Sequence, residues 1–222
     1  MIQIRSLKFQ YPHSNFRLNI PEFQIEKSKK VAVIGPSGSG KTTLLNLMAG
    51  ILSPDEGTIQ VDSHYVDTLN DDQRRAFRIQ NIGFVFQDFE LIDYLNVLDN
   101  ILHPFRITPA LILNKSVVDQ ALSMANRMGI GDQLENFPGH LSQGEKQRTA
   151  ICRALLPHPK LILADEATGN LDPENKIQIL DLLFKSVEEH DATLLAVTHD
   201  HELLSRFDRV VDFKSFRQRG PS

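Results

Sequence analysis

The sequence is organised around one glycine-rich stretch, Gly35-Pro36-Ser37-Gly38-Ser39-Gly40-Lys41-Thr42-Thr43. An apolar run at residues 31–34 precedes it and predicts a buried strand, and the apolar positions of residues 44–48 predict a helix. A strand, a glycine-rich loop and a helix in this order are the context in which G-x-x-x-x-G-K-[ST] marks a phosphate-binding loop. A plain Gly/Ser turn is the alternative, and the combination of Gly40, Lys41 and Thr42 argues against it.

The chemistry of this loop follows from its residue types. Glycine permits backbone conformations in which consecutive N–H groups face an anion. A helix that begins near Lys41 adds roughly half an elementary positive charge at its N-terminus. We expect Lys41 to reach the β- and γ-phosphates and the Thr42 hydroxyl to ligate Mg²⁺. The stretch therefore predicts a site for a nucleoside triphosphate.

Composition limits the class of protein. The 222 residues suit one large domain or a core with a lobe, and a net charge of −4 gives no general attraction for nucleic acid or anionic lipid. A single cysteine, Cys152, excludes an internal disulfide and suits a reducing compartment. No apolar run approaches the ~20 residues of a membrane-spanning helix, and residues 1–5 lack the layout of a secretory signal. We therefore expect a cytoplasmic protein whose membrane association is supplied by a partner.

Polar side chains follow three further apolar strands, at Gln87, at Asp165-Glu166 and at His199. The carboxyl ends of parallel strands lie at one edge of a sheet, where ligands bind, so we expect these groups beside the phosphate loop. Asp165 suits Mg²⁺ because a hard cation prefers carboxylate oxygen. Glu166 points differently from its neighbour and can act as a general base towards water. A helix N-cap followed by a first-turn acid would also explain the Asp-Glu pair, but the phosphate loop favours the functional interpretation.

A second candidate anion site begins another predicted helix, at residues 141–148. Ser142 and Glu145 form a capping box, which is a complete structural explanation by itself. Gly144 in the first turn exposes backbone N–H groups, so this helix start can also hold an oxyanion. The site lies in a predicted helical lobe, away from the phosphate loop of the same chain. Two anion sites on one chain indicate that each copy contributes to an ATP held mainly by another copy.

Taken together, these residues resemble the ATP-binding cassette proteins, the nucleotide-binding subunits of ABC transporters. The matching motifs are Tyr11 (adenine-stacking aromatic), Gly35–Thr43 (Walker A), Gln87 (Q-loop), Leu141–Glu145 (signature), Leu161–Glu166 (Walker B), Gly169–Asp172 (D-loop) and His199 (switch histidine). The resemblance covers nearly the whole chain and implies a single ABC ATPase domain of the α/β class over residues 1–222. It implies a P-loop NTPase (RecA-like) core, an antiparallel β-subdomain at roughly 1–30 and 57–66, and an inserted α-helical subdomain at roughly 88–157.

The resemblance also implies which residues bind and hydrolyse ATP. The implied ATP ligands within one copy are Tyr11, Gly35, Pro36, Ser37, Gly38, Ser39, Gly40, Lys41, Thr42 and Thr43. The implied ligands from the other copy of a homodimer are Ser142, Gln143, Gly144, Glu145 and Asp172. Mg²⁺ is assigned to Thr42, Gln87 and Asp165, and catalysis to Lys41, Glu166 and His199. The implied active state is thus an ATP-bound homodimer with two MgATP between its copies.

Three features of the chain refine this resemblance. Gln143 stands where the family usually has a glycine and adds bulk at the implied dimer interface, and Glu145 replaces the usual glutamine. Residues 83–89, with Leu91-Ile92 and Asp99–Ile101, are similar to the lipoprotein-releasing and macrolide-export group. Subunits of this group work with an integral membrane permease, which implies a peripheral location on the cytoplasmic face of the inner membrane and no nucleic-acid partner.

Two other functions remain open at this point. The first is a soluble ABC ATPase that acts on nucleic acid or ribosomes. Its known forms generally have tandem cassettes or long coiled-coil insertions, which the sequence lacks, and the mild acidity argues the same way. The second is a small P-loop kinase, which would leave the signature and His199 without a role.

Overall fold

The computed structural model describes residues 1–169, 171 and 173–216, and these residues form two β-sheets and six α-helices. The strands are β1 (Ile2–Gln10), β2 (Arg17–Ile25), β3 (Lys30–Ile34), β4 (Glu56–Val61), β5 (His64–Tyr65), β6 (Ile82–Val85), β7 (Leu161–Asp165), β8 (Thr193–Val197) and β9 (Arg209–Asp212). The helices are α1 (Lys41–Met48), α2 (Asp71–Asn81), α3 (Val97–Arg106), α4 (Lys115–Arg127), α5 (Gln143–Leu155) and α6 (Pro173–Glu189).

The central sheet is parallel and has the strand order β6-β7-β8-β3-β9. Along β7, Leu161 and Leu163 pack into one hydrophobic cluster, and Ile162 and Ala164 pack into another. Successive side chains of a strand point to opposite faces, so a run that is apolar throughout belongs to a strand covered on both sides. The predicted α/β class is therefore confirmed.

The second sheet is antiparallel, in the order β2-β1-β4-β5, and its inner face covers one side of the central sheet. The register of β1 against β4 shifts by one residue between Arg5 and Lys8. The shift marks a β-bulge in β1, where Ser6 has φ +50°. Gly57, with φ +89°, lies against this bulge. A Cβ at that position would come within 2.4 Å of the Ser6 carbonyl oxygen, which excludes any other residue.

The helices α3, α4 and α5 pack together on the other side of the central sheet, with α5 against β6. Each begins at a polar N-cap whose side chain accepts a backbone N–H: Asn96 for α3, Asn114 for α4 and Ser142 for α5. These caps explain why the helices start where the apolar periodicity does. Among the residues that the structure describes, no helix is both long and apolar enough to span a bilayer.

Candidate functional site

The phosphate loop joins β3 to α1 and has the backbone that its sequence predicts. Gly38 and Gly40 have φ values of +71° and +102°, in the left-handed region that glycine adopts without strain. Gly40 is the N-cap of α1, and a Cβ on it would lie 2.7 Å from the ring of Phe16. Lys41, Thr42 and Thr43 of the first helical turn line the cavity above the loop, and the N-terminus of a helix stabilises an anion.

Lys41 folds its side chain back over this loop. Its Nζ donates to the carbonyl oxygens of Gly35 at 2.9 Å and Pro36 at 3.0 Å. Burial lowers the pKa of the Lys41 ammonium, and the nearby carboxylates of Glu166 and Asp165 act in the opposite direction. A buried cation whose hydrogen bonds go to neutral carbonyl groups is well placed to bind a phosphate.

Thr42 and Asp165 meet directly below the loop. The Thr42 hydroxyl forms a hydrogen bond with the Asp165 carboxylate. Burial raises the pKa of Asp165, the Thr42 bond lowers it, and the negative charge of Glu166 raises it further. A divalent cation would relieve this buried negative charge, and a hydroxyl beside a carboxylate provides two oxygen ligands for it.

Glu166 and His199 form a contact of their own at the end of β7 and β8. His199 Nε2 lies 2.7 Å from Glu166 Oε1. Glu166 has φ +49°, its N–H donates to the Val197 carbonyl, and Gly169 donates to the Glu166 carbonyl. The end of β7 thus carries two adjacent carboxylates with different partners, Asp165 with Thr42 and Glu166 with His199.

A cavity of about 420 Å³ brings the phosphate loop together with the strand-end residues. The cavity is lined by Tyr11, Phe16, Ser37, Gly38, Gly40, Lys41, Thr42, Thr43, Gln87, Glu166 and His199. Five separate parts of the chain thus meet at one edge of the central sheet, where a parallel α/β sheet binds its ligands.

Two aromatic residues form one wall of this cavity. The hydroxyl of Tyr11 lies 3.2 Å from Thr43 Oγ1, and its ring contacts Phe9 and Phe16. In the sequence, Phe16, Leu18 and Ile20 alternate with polar residues, a pattern that predicts a strand and does not indicate a site residue. The structure instead places Phe16 just before β2, with its ring over Gly40. An aromatic residue beside a phosphate loop offers a face on which a base can stack.

The residues at the start of α5 form a separate group outside this cavity. The capping box is present: Glu145 N–H donates to Ser142 Oγ, and Ser142 N–H donates to Glu145 Oε2. Gln143 is exposed, and a Cβ on Gly144 would make only ordinary contacts. One chain therefore does not unite its two predicted anion sites. Asp172, expected to join them, lies outside the described residues.

Arg153 supports the segment that follows Gln87, and sequence reasoning did not identify it. Phe89 and Glu90 are consecutive non-glycine residues with φ of +61° and +49°. The Arg153 guanidinium donates to both of their carbonyl oxygens, at 2.6 Å for Phe89. The strained turn after Gln87 is thus held against α5.

A groove of about 680 Å³ lies on the outer side of this turn, between α2, β6 and the end of α3. Its apolar lining includes the stacked rings of Phe84 and Phe86, 4.1 Å apart, together with Ile79 and Ile107. Arg153 also lines it, so the groove and the Gln87 segment share one side chain.

Comparison with known proteins gives matches over most of the chain. The sequence pattern of the family described as ABC transporter matches residues 18–169. A lipoprotein-releasing system ATP-binding protein LolD of Hydrogenovibrio crunogenus is 42% identical over 85% of this chain and 81% of the relative. A macrolide export ATP-binding/permease protein MacB of Rhodopirellula baltica is 40% identical over 96% of this chain and 32% of the longer relative.

Solved structures also match over most of the chain. The dimeric structure of MJ0796, a bacterial ABC transporter cassette, has a TM-score of 0.85 and 32% identity, covering 96% of this chain and 94% of that one. A dimeric post-hydrolysis state of MJ0796 bound to ADP and Pi has a TM-score of 0.82 with the same coverage.

Proposed function

This chain belongs to the ABC transporter family, and from that premise we propose that it is the ATP-binding and ATP-hydrolysing subunit of a transporter. Its relatives are of the lipoprotein-releasing and macrolide-export type, as the sequence motifs predict. The soluble alternative that acts on nucleic acid or ribosomes is not favoured, because these relatives carry transport names.

The observation that carries this proposal is the convergence of Lys41, Gln87, Glu166 and His199 on one cavity around the phosphate loop. ATP fits there with its phosphates on residues 35–43 and its base against Tyr11, beside Phe16. Lys41 would leave the Gly35 and Pro36 carbonyl groups and bind the phosphates, a stronger charge-assisted interaction.

Mg²⁺ fits the donor set that the structure offers. The described residues contain no cluster of three or more His, Cys, Asp or Glu side chains that would cage a metal ion. This agrees with Mg²⁺, which usually takes one or two carboxylates and completes its shell with phosphate and water. Asp165 and Thr42 would hold it, with Gln87 approaching from the cavity wall. Bound there, the ion would neutralise charge on the β- and γ-phosphates.

Glu166 is the group that we assign to water activation. Its carboxylate lines the cavity and takes no part in the Thr42–Asp165 hydrogen bond, so it can accept a proton from a water molecule. His199 lies 2.7 Å from Glu166 Oε1 and would orient this carboxylate. Its imidazole would also face the γ-phosphate, as the switch histidine of the family does.

The remaining ATP ligands would come from a second copy. Ser142, Gln143, Gly144 and Glu145 lie outside the cavity of their own chain, so the helix start that they form reaches an ATP only when two copies pair head to tail. Such a homodimer encloses two MgATP and uses each signature helix once. Asp172 would link the two sites.

We assign the groove beside the Gln87 segment to the integral membrane permease subunit. Its apolar lining is suited to an apolar helix face, and Arg153 connects the groove to the turn that follows Gln87. A change at the Mg²⁺ site would reach the permease by this route. The chain would then lie peripherally on the cytoplasmic face of the inner membrane.

Substitution of Glu166 by glutamine tests the assignment. The Mg²⁺ and phosphate contacts survive while the base is lost, so turnover should fall by roughly 10²–10⁴-fold and ATP should trap a dimer. Phosphate release and sedimentation measure the two effects. The matched control is Glu22→Gln, at an exposed position of β2, which should leave both unchanged. Wild-type turnover in Glu166→Gln would overturn the role of Glu166.

A further inference from the structure

The start of α5 already holds an anion that belongs to the chain itself. Glu145 Oε2 accepts two hydrogen bonds from Ser142, one from its backbone N–H at 2.7 Å and one from its hydroxyl at 2.7 Å. The Ser142 hydroxyl in turn accepts from Glu145 N–H at 3.3 Å. A serine hydroxyl has one proton, so its donor is committed to the carboxylate.

The surroundings of this carboxylate attract negative charge. The N-terminus of α5 contributes a partial positive charge, and the Arg148 guanidinium lies close to Gly144, 3.7 Å from where a Cβ would stand. Arg148 donates to the neutral amide oxygens of Asn175 and Gln178. The helix start is thus an anion site whose donors Glu145 occupies.

We propose that Glu145 masks the signature site in the single copy and competes with the γ-phosphate of the partner's ATP. This inference rests on the proposed function, because it assumes that Ser142 and Gly144 receive that phosphate. Closure of the dimer then requires Ser142 to exchange the carboxylate for the phosphate, with the displaced negative charge still nearby. Glu145 is in this way a positioning residue that sets the affinity of the ATP-bound dimer.

The test removes the negative charge of Glu145 and keeps the size and shape of its side chain. In Glu145→Gln the amide oxygen can still accept both bonds from Ser142, so the capping box survives without its negative charge. The ATP-dependent dimer should tighten by roughly threefold to thirtyfold, the range expected when one charge is removed at each of its two signature helix N-termini. Thermal unfolding of the ATP-free chain shows whether the cap is kept.

Dimerisation is best measured in the Glu166→Gln background, where hydrolysis does not consume the ATP. Sedimentation with MgATP gives the dissociation constants of Glu166→Gln, Glu145→Gln/Glu166→Gln and the control Glu22→Gln/Glu166→Gln, which has the same net charge. Only the Glu145 change should tighten the dimer. Because salt screens repulsion between charges, raising ionic strength should shrink the difference.

The outcomes separate this inference from the function on which it rests. If Glu166→Gln forms no dimer with MgATP, the proposed function fails. If it dimerises and the Glu145→Gln variant dimerises with an equal or weaker constant, the masking role is overturned while the function stands. An equal gain from Glu22→Gln would also overturn it, since the effect would then be one of net charge.

Discussion

At the scale of single residues, Lys41 carries the most direct prediction. Only 6% of Lys41 is exposed, and its Nζ has carbonyl partners in the absence of nucleotide. Lys41→Ala removes a charge-assisted bond to phosphate of about 1.5–3 kcal/mol. Because about 1.4 kcal/mol of binding free energy corresponds to a tenfold change in Kd, the Kd for ATP should rise at least tenfold. Calorimetric titration measures it. Lys29→Ala, at an exposed position before β3, is the control; unchanged affinity in Lys41→Ala would contradict the site.

Sequence and structure agree at this scale where a residue acts through its local chain. The capping box of Ser142 and Glu145 follows from their spacing, because both partners lie within one helical turn. Phe16 and Arg153 could not be predicted, because their partners lie far along the chain: Phe16 covers Gly40, and Arg153 holds Phe89. Residue type alone gives no signal for such contacts.

At the scale of elements, α5 contains a buried amide without partners. Gln147 is 1% exposed, and in the described part of the chain neither its nitrogen nor its oxygen has a hydrogen-bond partner. Leaving a polar group buried and unpaired costs about 1–3 kcal/mol. Gln147→Met, which keeps the length and removes the amide, should therefore raise the free energy of unfolding by about that amount. Urea denaturation of the ATP-free chain measures it.

Thr149 provides the matched control for Gln147. It is equally buried in α5, but its hydroxyl donates to the Glu145 carbonyl at 2.8 Å. Thr149→Val removes a satisfied group, so it should stabilise the chain less than Gln147→Met or destabilise it. A loss of stability in Gln147→Met would mean that the amide does contribute to the fold.

Element positions were predictable wherever the hydrophobic period was regular. Between residues 116 and 128, apolar side chains recur at helical spacing and predict a helix. The structure places this helix at Lys115–Arg127, one residue earlier. Residues 88–96 mix acidic and apolar side chains without a regular period, and the structure shows why. Its turn through Phe89 and Glu90 depends on Arg153 from another element, which no local pattern encodes.

At the scale of the whole molecule, the permease groove can be tested at its rim. Ile107 is 59% exposed and lines the groove at the end of α3. Ile107→Glu should abolish co-purification of the permease, because it puts a charge into an apolar contact, while basal ATP hydrolysis stays unchanged. Val210→Glu is the control, since Val210 is 40% exposed on β9, at the opposite edge of the sheet from β6. Equal loss in both variants would argue against the groove.

The α/β class was predictable from the phosphate loop and the strand-end motifs, because each motif requires a strand before it. The order β6-β7-β8-β3-β9 was not, since parallel neighbours are brought together by long connections whose paths the local sequence does not specify. The sequence likewise indicates two anion sites on one chain, but no local pattern specifies how two copies would bring them together.

Mixing two inactive variants tests that shared site directly. Lys41→Ala damages the phosphate loop and leaves the signature intact. Gly144→Asp leaves the phosphate loop intact and damages the signature. The new carboxylate is compatible with the first turn of a helix, but it repels phosphate. In a mixed dimer, the loop of the second variant faces the signature of the first and forms one intact site. Random pairing makes half of the dimers mixed, so an equal mixture should regain about a quarter of wild-type ATP hydrolysis.

The control for this mixture is Gly139→Asp, because a Cβ on Gly139 meets no atom within 4 Å and the position is exposed. This variant should hydrolyse ATP normally by itself. Activity of the rescued mixture should also fall on dilution, since the intact site exists only in a pair. If the mixture of Lys41→Ala and Gly144→Asp stays inactive while both variants are folded and dimerise, each chain would have to hydrolyse ATP with its own residues alone.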